Sequence, residues 1–138
     1  MNDIIVGVDR SDTARSAAAT AATHAANCGA NLHIVMCVKR GSSQEVAGGD
    51  SWRIDSVSEA ETFLHDLCRS LPHERITSTV GFGDPAVTIC EEAERLRASM
   101  IVVGNRRVQG ATRILGSVAA DVTKQASCDV LIANTTPR

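Results

Sequence analysis

Residues 100–117 read MIVVGNRRVQGATRILGS, an apolar run that leads into a Gly-rich segment and then into a predicted helix. A second apolar run, IIVGV, occupies residues 4–8 and is followed by Asp9. Short β-branched runs are typical of strands that are buried on both faces of a parallel sheet. The two runs therefore predict two central strands, each of which ends in a segment with unusual chemistry.

Strands and helices alternate around these two runs. We predict strands at residues 4–8, 32–38, 76–80, 100–103 and 129–133, and helices at residues 13–27, 58–71, 85–97 and 117–126. Residues 39–57 show no clear period and are rich in Gly and Ser, so we expect a long loop there. This alternation demands an α/β fold, an open five-stranded parallel sheet with helices on both faces. No linker divides the chain, and we expect one domain over residues 1–138.

The composition argues against several kinds of partner. The formal net charge is -2 and aromatic residues make up 2% of the chain. The chain therefore has neither the excess of positive charge nor the aromatic side chains for base stacking that a nucleic-acid partner would favour. No apolar run approaches the roughly 20 residues that span a bilayer, and the N-terminus MNDIIVGVDR lacks the pattern of a secretory signal. We expect a cytoplasmic protein without a membrane partner.

The cysteines and histidines show no metal-ligand spacing. Five cysteines occur, an odd number without a CxxC pair, and we expect buried, reduced thiols rather than a zinc site or disulfides. The four histidines are scattered along the chain, so we assign them no ligand role. On the third helix, Glu91 and Arg95 stand four positions apart, which predicts an ion pair on a solvated face.

The two unusual strand exits indicate where a ligand would bind. Ligands of open parallel sheets bind beyond the carboxyl ends of the strands, where the strand order reverses. If the strands that end near Asp9 and Gly104 are neighbours, their exits form one crevice. The second exit has the parts of a phosphate site, because glycines permit close backbone approach, arginines add positive charge and Ser117 begins a helix. These glycines and arginines are Gly104, Arg106, Arg107, Gly110, Arg113 and Gly116.

An alternative interpretation of this segment stays open. The glycines could only shape a loop, and the arginines could form a solvated face. The sequence also lacks both standard nucleotide fingerprints, since no GxGxxG follows a strand and no GxxxxGK(S/T) occurs. A recognisable dinucleotide motif or Walker-type loop is thereby excluded, whereas a different phosphate loop is not.

Three segments, taken together and in order, resemble the universal stress protein family. They are IIVGVDRSD at residues 4–12, GDPAVTICEEAERLRASMIVVGN at residues 83–105 and LGSVAADVTKQASCDVLIA at residues 115–133. The resemblance extends from Ile4 to Thr135. It implies a Rossmann-like fold, similar to the adenine nucleotide alpha hydrolases, with the strand order 3-2-1-4-5. In that order the first and fourth strands are neighbours.

The resemblance also implies a site for ATP or AMP. By the family pattern, Asp9 serves the ribose or the base, and the backbone at Val38 meets the base. Gly104, Gly116 and Ser117 match the first and last parts of the family's phosphate loop. The implied site further includes Gly7, Val8, Asn105, Arg106, Arg107, Gly110 and Val118. Asp9 could also hold one Mg²⁺ through the phosphates, since one or two carboxylates often suffice.

The phosphate loop departs from the family pattern. Arg107 stands where the second Gly of the loop belongs, and the spacing from Gly104 to Gly116 is one residue shorter than the pattern. Arg10 also replaces the usual Gly after Asp9. The Arg107 backbone can still donate its N–H, and its side chain could grip a phosphate. That side chain could equally fill the phosphate pocket.

Three functions follow from these observations. The first is a nucleotide-binding stress or regulatory module, the second a slow ATP hydrolase with the same site, and the third a homodimeric interaction protein whose pocket no longer functions. The sequence offers no evident general base beside a nucleophile and no acidic pair for two metals, which argues against efficient hydrolysis. We therefore expect a binding module rather than an enzyme.

The last predicted strand indicates how two copies could associate. It reads DVLIA at residues 129–133 and follows the final helix, which places it at a sheet edge. An apolar edge without protecting charge or Pro invites pairing with another chain, and twofold pairing is the common closed solution. The resemblance implies the same homodimer. Alternatively, residues 134–138 or the long loop could cover this edge within one chain.

Overall fold

The computed structural model describes residues 2–9, 12–38, 49–105 and 116–135, with the side chains of residues 12 and 49–56 left out. The strands are β1 (Asp3–Val8), β2 (Asn31–Val38), β3 (Ile76–Phe82), β4 (Met100–Gly104) and β5 (Asp129–Ala133). The helices are α1 (Asp12–Cys28), α2 (Gly49–Ser70), α3 (Pro85–Leu96) and α4 (Ser117–Gln125). Within these ranges, no helix has both the length and the apolar character that crossing a membrane requires.

The strands form one parallel sheet in the order β3-β2-β1-β4-β5. At the centre, Val6 of β1 lies opposite Ile34 of β2 and Val102 of β4. The order confirms the expected α/β fold and the expected neighbourhood of the first and fourth strands. Because the order reverses between β1 and β4, the carboxyl ends of these two strands define the crevice of the sheet.

Each face of the sheet packs against a different pair of helices. On one face, α1 and α2 bury side chains such as Ala18 and Leu64 against Ile34. The other face packs on α3 and α4, where Ile101 and Val122 are completely buried. Helix α1 presents mainly alanines to the sheet, and the small side chains let its axis lie close to the strands. This close approach brings the first turns of α1 to the rim of the crevice.

Helix α3 begins and ends as its sequence predicts. Asp84 is the N-cap, its carboxylate accepts a hydrogen bond from the Val87 N–H at 3.0 Å, and Pro85 occupies the first turn. At the other end, Arg97 adopts a left-handed conformation with φ of 53°. Its N–H bonds to the carbonyl groups of the last helical turn. The cap at Asp84 matters for the site, because it fixes where the chain leaves β3 and enters α3.

Helix α2 starts earlier than we expected. The prediction of a loop over residues 49–57 is wrong, because α2 extends from Gly49 to Ser70. Residues 50–71 contain neither Gly nor Pro, so nothing in this sequence stops the helix from continuing toward its N-terminus. The remainder of the expected loop, residues 39–48, lies outside the described residues.

Two smaller expectations are corrected in the same way. Arg95 pairs with Glu92 rather than with Glu91, since positions three apart on a helix are also neighbours. Of the five free cysteines, Cys90 is buried, whereas Cys28 is exposed and the others are half-buried. Most of these cysteines stand near the ends of strands or helices, where the core borders solvent, so the thiols are less buried than the apolar pattern indicated.

A buried histidine joins α3 to the sheet. His33 of β2 is 7% exposed, and its Nδ1 is hydrogen bonded to the Thr77 hydroxyl. Its Nε2 lies 2.9 Å from the Thr79 hydroxyl and 3.5 Å from the Glu92 carboxylate of α3. Burial lowers the pKa of His33, and Arg95 acts in the same direction, whereas Glu92 and Asp3 act against it.

This environment predicts a pH dependence of stability. Because the pKa of His33 is lower in the folded chain than the ordinary 6.5, the fold favours the neutral imidazole. The contribution of His33 to the free energy of unfolding is complete above about pH 6.5 and decreases as the pH falls toward the folded pKa. The total decrease is about 1.4 kcal/mol for each unit by which the folded pKa lies below the ordinary one. When the pH falls from 7.5 to 5, the free energy of unfolding should therefore decrease more in wild type than in His33→Gln.

Urea unfolding at the two pH values measures this difference. His65→Gln is the matched control, because His65 is an exposed residue of α2. A His33→Gln difference that stays constant across the range, as for the control, would contradict the buried neutral imidazole.

Candidate ligand-binding site

A cavity of about 320 Å³ opens at the carboxyl ends of β1 and β4. Its floor is formed where β2, β1 and β4 end, and its walls come from the first turns of α1, α3 and α4. The cavity therefore occupies the crevice that the strand order defines. It also unites the two strand exits that the sequence singled out.

The structure brings most of the described candidate residues to this cavity. The candidates that line it are Gly7, Val8, Asp9, Gly104, Gly116, Ser117 and Val118. Val38 and Asn105 are described but do not line it. Arg106, Arg107 and Gly110 lie outside the described residues, as do Arg10 and Arg113. The roles we expect for Arg106, Arg107, Gly110 and Arg113 therefore stay predictions.

The β4 side of the cavity suits an anion. Helix α4 begins at Ser117 with Gly116 as its N-cap, and within the described part of the chain no side chain forms a capping hydrogen bond there. Glycine has no side chain to cap the first N–H groups of α4, and the helix dipole favours a negative charge at the same place. Gly104, at the end of β4, adds exposed backbone to this side of the cavity.

The middle of the cavity combines polar groups with a close helix-to-strand contact. Asp9 follows β1, the central strand of the crevice, and supplies the one carboxylate among the described lining residues. Thr13 of α1 adds a hydroxyl. Below them, a Cβ atom on Gly7 would collide with the Ile89 side chain of α3. Gly7 therefore lets Ile89 pack directly on β1 beside the cavity.

The β2 side of the cavity is mostly apolar and contains Cys37 rather than Val38. Successive side chains of a strand point to opposite faces, so Cys37 lines the cavity with Val35, whereas Val38 packs toward the α1–α2 face. Burial raises the pKa of the Cys37 thiol, and the neighbouring Thr88 side chain acts in the opposite direction.

Helix α3 completes this side of the cavity. Gly83 and Pro85 line it where the chain passes from β3 into α3. Gly83 has φ of 99°, a left-handed conformation that L side chains rarely adopt, so this turn requires glycine. The Thr88 hydroxyl donates to the Phe82 carbonyl at 3.3 Å, which holds the first turns of α3 against the end of β3.

The side chain of Asn105 points to a different part of the chain. Its Oδ1 accepts hydrogen bonds from the Thr135 N–H at 2.8 Å and from the Thr135 hydroxyl at 2.9 Å. Its Nδ2 donates to the Asn134 Oδ1 at 3.2 Å. Asn105, which we expected to contact a ligand, therefore binds the segment that follows β5.

Several lining residues were missed from the sequence. They are Thr13, Ala14, Ala17, Val35, Cys37, Gly83, Pro85, Ile89, Val103 and Ala119. A usable signal existed for Cys37, because alternation along β2 places it on the face opposite to Val38. Gly83 and Pro85 stood inside one of the segments that carry the family resemblance. The alanines of α1 gave no such signal, since they look like ordinary core positions.

The cavity does not resemble a preformed metal site. In the ranges that the structure covers, no group of three or more His, Cys, Asp and Glu residues is placed to hold a metal ion. One carboxylate with nearby hydroxyl groups fits a Mg²⁺ ion that is bound mainly through the phosphates of a ligand. Asp9 is the residue that would hold such an ion.

Comparison with known proteins gives a consistent result. The model of the universal stress protein family matches residues 1–134. A universal stress protein of Mycobacterium tuberculosis is 29% identical over 143 residues, which cover 96% of each chain. Universal stress protein A homolog 1 of Coxiella burnetii is 31% identical over 138 residues, covering 93% of this chain and 92% of the relative.

The fold is also found among solved structures. The crystal structure of a universal stress protein in complex with cAMP matches this chain with a TM-score of 0.77 and 27% sequence identity. The match covers 98% of each chain. The similarity thus includes the strands and helices that surround the cavity.

Proposed function

Since the chain belongs to the universal stress protein family, we propose that it binds an adenine nucleotide, ATP or AMP, and acts as a regulatory or stress-response module. The observation that carries this proposal is the cavity at the reversal point of the sheet, which is lined both by the N-terminus of α4, with Gly116 as its N-cap, and by Gly104 at the end of β4. The universal stress protein that was solved with cAMP supports an adenine nucleotide as the ligand.

The chemistry of the cavity indicates how the nucleotide would lie. Its phosphates would bind the N–H groups at the start of α4, where the helix dipole favours negative charge. The ribose would lie near Asp9, whose carboxylate accepts hydrogen bonds from hydroxyl groups. The base would then face the apolar side formed by Cys37 and Pro85. We further propose that Arg106 and Arg107 add positive charge at the phosphate end.

We propose that the chain forms one domain over residues 1–138 and works in the cytoplasm as a homodimer. Its five cysteines are free, as they would be in a reducing compartment. The partner strand would pair with the outer edge of β5, where Val130, Leu131 and Ile132 are half-buried. Thr135 packs against Gly104 at the end of β4. In the described part of the chain, the segment after β5 therefore turns across β4 rather than back over that edge.

Mass spectrometry of the nucleotides released from purified, denatured protein tests the proposed binding. We expect ATP, ADP or AMP to be recovered with the protein, and an equal preparation of Gly116→Val should carry none. The purified protein is then incubated with ATP and Mg²⁺. Intact ATP after incubation fits a binding module, whereas steady release of ADP would favour the slow hydrolase. Protein that neither carries nor binds a nucleotide would contradict the proposed function.

A further inference from the structure

The segment after β5 is fastened to the end of β4 beside the cavity. Thr135 is 7% exposed, and both its N–H and its hydroxyl donate to the Asn105 Oδ1. The Asn105 N–H in turn donates to the Ala133 carbonyl at 3.0 Å. Backbone and side chain of Asn105 thus both bind the same short stretch, residues 133–135.

These hydrogen bonds between Asn105 and residues 133–135 lie directly behind the wall of the cavity. An ideal Cβ atom on Gly104 would stand 3.0 Å from the Thr135 Cγ2 and 3.7 Å from the Ala17 Cβ. Gly104 and Ala17 both line the cavity, whereas Thr135 does not. The Thr135 methyl group therefore packs against the wall from outside, and glycine at position 104 allows the close approach.

The hydrogen bonds fix the position of the β4 end. An amide oxygen accepts two hydrogen bonds at most in good geometry, and both acceptor positions of the Asn105 Oδ1 are used by Thr135. Leaving one of them without a donor in this half-buried place is unfavourable, so the peptide that joins Gly104 to Asn105 is held in one orientation. That orientation decides which way the Gly104 backbone faces the cavity.

We propose that Thr135 and Asn105 are positioning residues of the nucleotide site, which hold the Gly104 backbone in place at its phosphate end. This inference rests on the proposed function. This positioning role requires no contact between either side chain and the nucleotide. The segment after β5 is then a working part of the site, although it is remote from the phosphate-loop motif in sequence.

A pair of substitutions at Thr135 separates the hydrogen bond from the packing. Thr135→Val keeps the shape and the backbone N–H but removes the hydroxyl donor. Thr135→Ser keeps the hydroxyl donor and removes the methyl group. By calorimetry with AMP, we expect Thr135→Val to weaken binding about three- to tenfold, the effect of one lost hydrogen bond. Thr135→Ser should stay within about twofold of wild type.

Thr23→Val is the matched control. The Thr23 hydroxyl bonds to the Ala19 carbonyl at 3.1 Å on the exposed side of α1, so the same chemical change is made away from the site. A purely structural role for Thr135 would lower the melting temperature of Thr135→Val without changing its AMP affinity. That result would overturn the inference, as would equal losses of affinity in Thr135→Val and Thr135→Ser.

Amide hydrogen exchange tests the same inference without a ligand. The Asn105 N–H should exchange at least threefold faster in Thr135→Val than in wild type or Thr135→Ser. The Ala120 N–H, which bonds to the Gly116 carbonyl at 2.9 Å, should be unaffected. If wild type binds no AMP, the proposed function fails, and the exchange rates still decide the positioning role. Equal Asn105 rates in all three proteins would overturn it.

Discussion

Gly116→Val is expected to lower the affinity for AMP at least 100-fold while the fold survives. Gly116 is the N-cap of α4, with φ of -63° and ψ of 157°, a conformation open to any residue. Backbone strain therefore does not cause the loss. The branched side chain would instead occupy the phosphate approach at the start of α4, where Gly116 lines the cavity. A 100-fold loss corresponds to about 2.8 kcal/mol of binding free energy.

Gly116→Ser serves as the control for helix stability. Valine is a poor N-cap and serine a good one, so the two variants should change the stability of α4 in opposite directions. Serine would nevertheless weaken binding, because its hydroxyl accepts a hydrogen bond from an N–H group that the phosphate needs. Calorimetry and thermal melts separate the two effects. Unchanged AMP affinity in Gly116→Val would remove this end of the cavity from the site.

Leu131→Lys is expected to convert the proposed homodimer into a monomer. Leu131 lies in the middle of β5, at the sheet edge. An ammonium group placed there would be buried without a partner at the interface, which strongly opposes pairing. Light scattering should change from a mass of two chains in wild type to one chain of 14.5 kDa in the variant.

Val80→Lys tests whether the effect belongs to β5. Val80 lies on β3, the opposite edge of the sheet, and like Leu131 it is partly buried against the α1–α2 core. The substitution disturbs that core to a similar extent but should leave the dimer intact. Wild-type protein with the mass of one chain across micromolar concentrations would refute the homodimer. Dissociation by Val80→Lys alone would place the interface on β3.

The sheet could be predicted because its strands carry a strong local signal. Runs such as IIVGV and MIVVG are too short and too β-branched for helices, and their alternation with helices permits few topologies. The start of α2 was not predictable in the same way. Residues 49–57 contain polar side chains with little apolar period. The lack of an apolar stripe argues against a helix there more strongly than the absence of Gly and Pro after Gly49 argues for one.

The lining of the cavity was predicted best where the backbone forms it. Gly104, Gly116 and Ser117 mark a loop and a helix start, features that sequence shows directly. Side-chain direction was harder. Cys37 lines the cavity and the Val38 side chain packs on the other face of the sheet, because one step along a strand reverses the face. The expected contact between the Val38 backbone and the base stays a prediction. Asn105 binds Thr135, a contact between residues 30 positions apart, and no local pattern in the sequence indicates it.

Protection of Cys37 from alkylation tests the central claim most directly, because it reports both binding and its place. Cys37 lines the β2 side of the cavity, where we propose that the base lies, and Cys28 at the end of α1 is exposed. Iodoacetamide at about pH 8.5 offsets the raised pKa of Cys37, and peptide mass spectrometry gives the rate at each thiol. We predict that saturating AMP slows alkylation of Cys37 at least fivefold and leaves Cys28 unchanged. Equal Cys37 rates with and without AMP and ATP would contradict a nucleotide in this cavity.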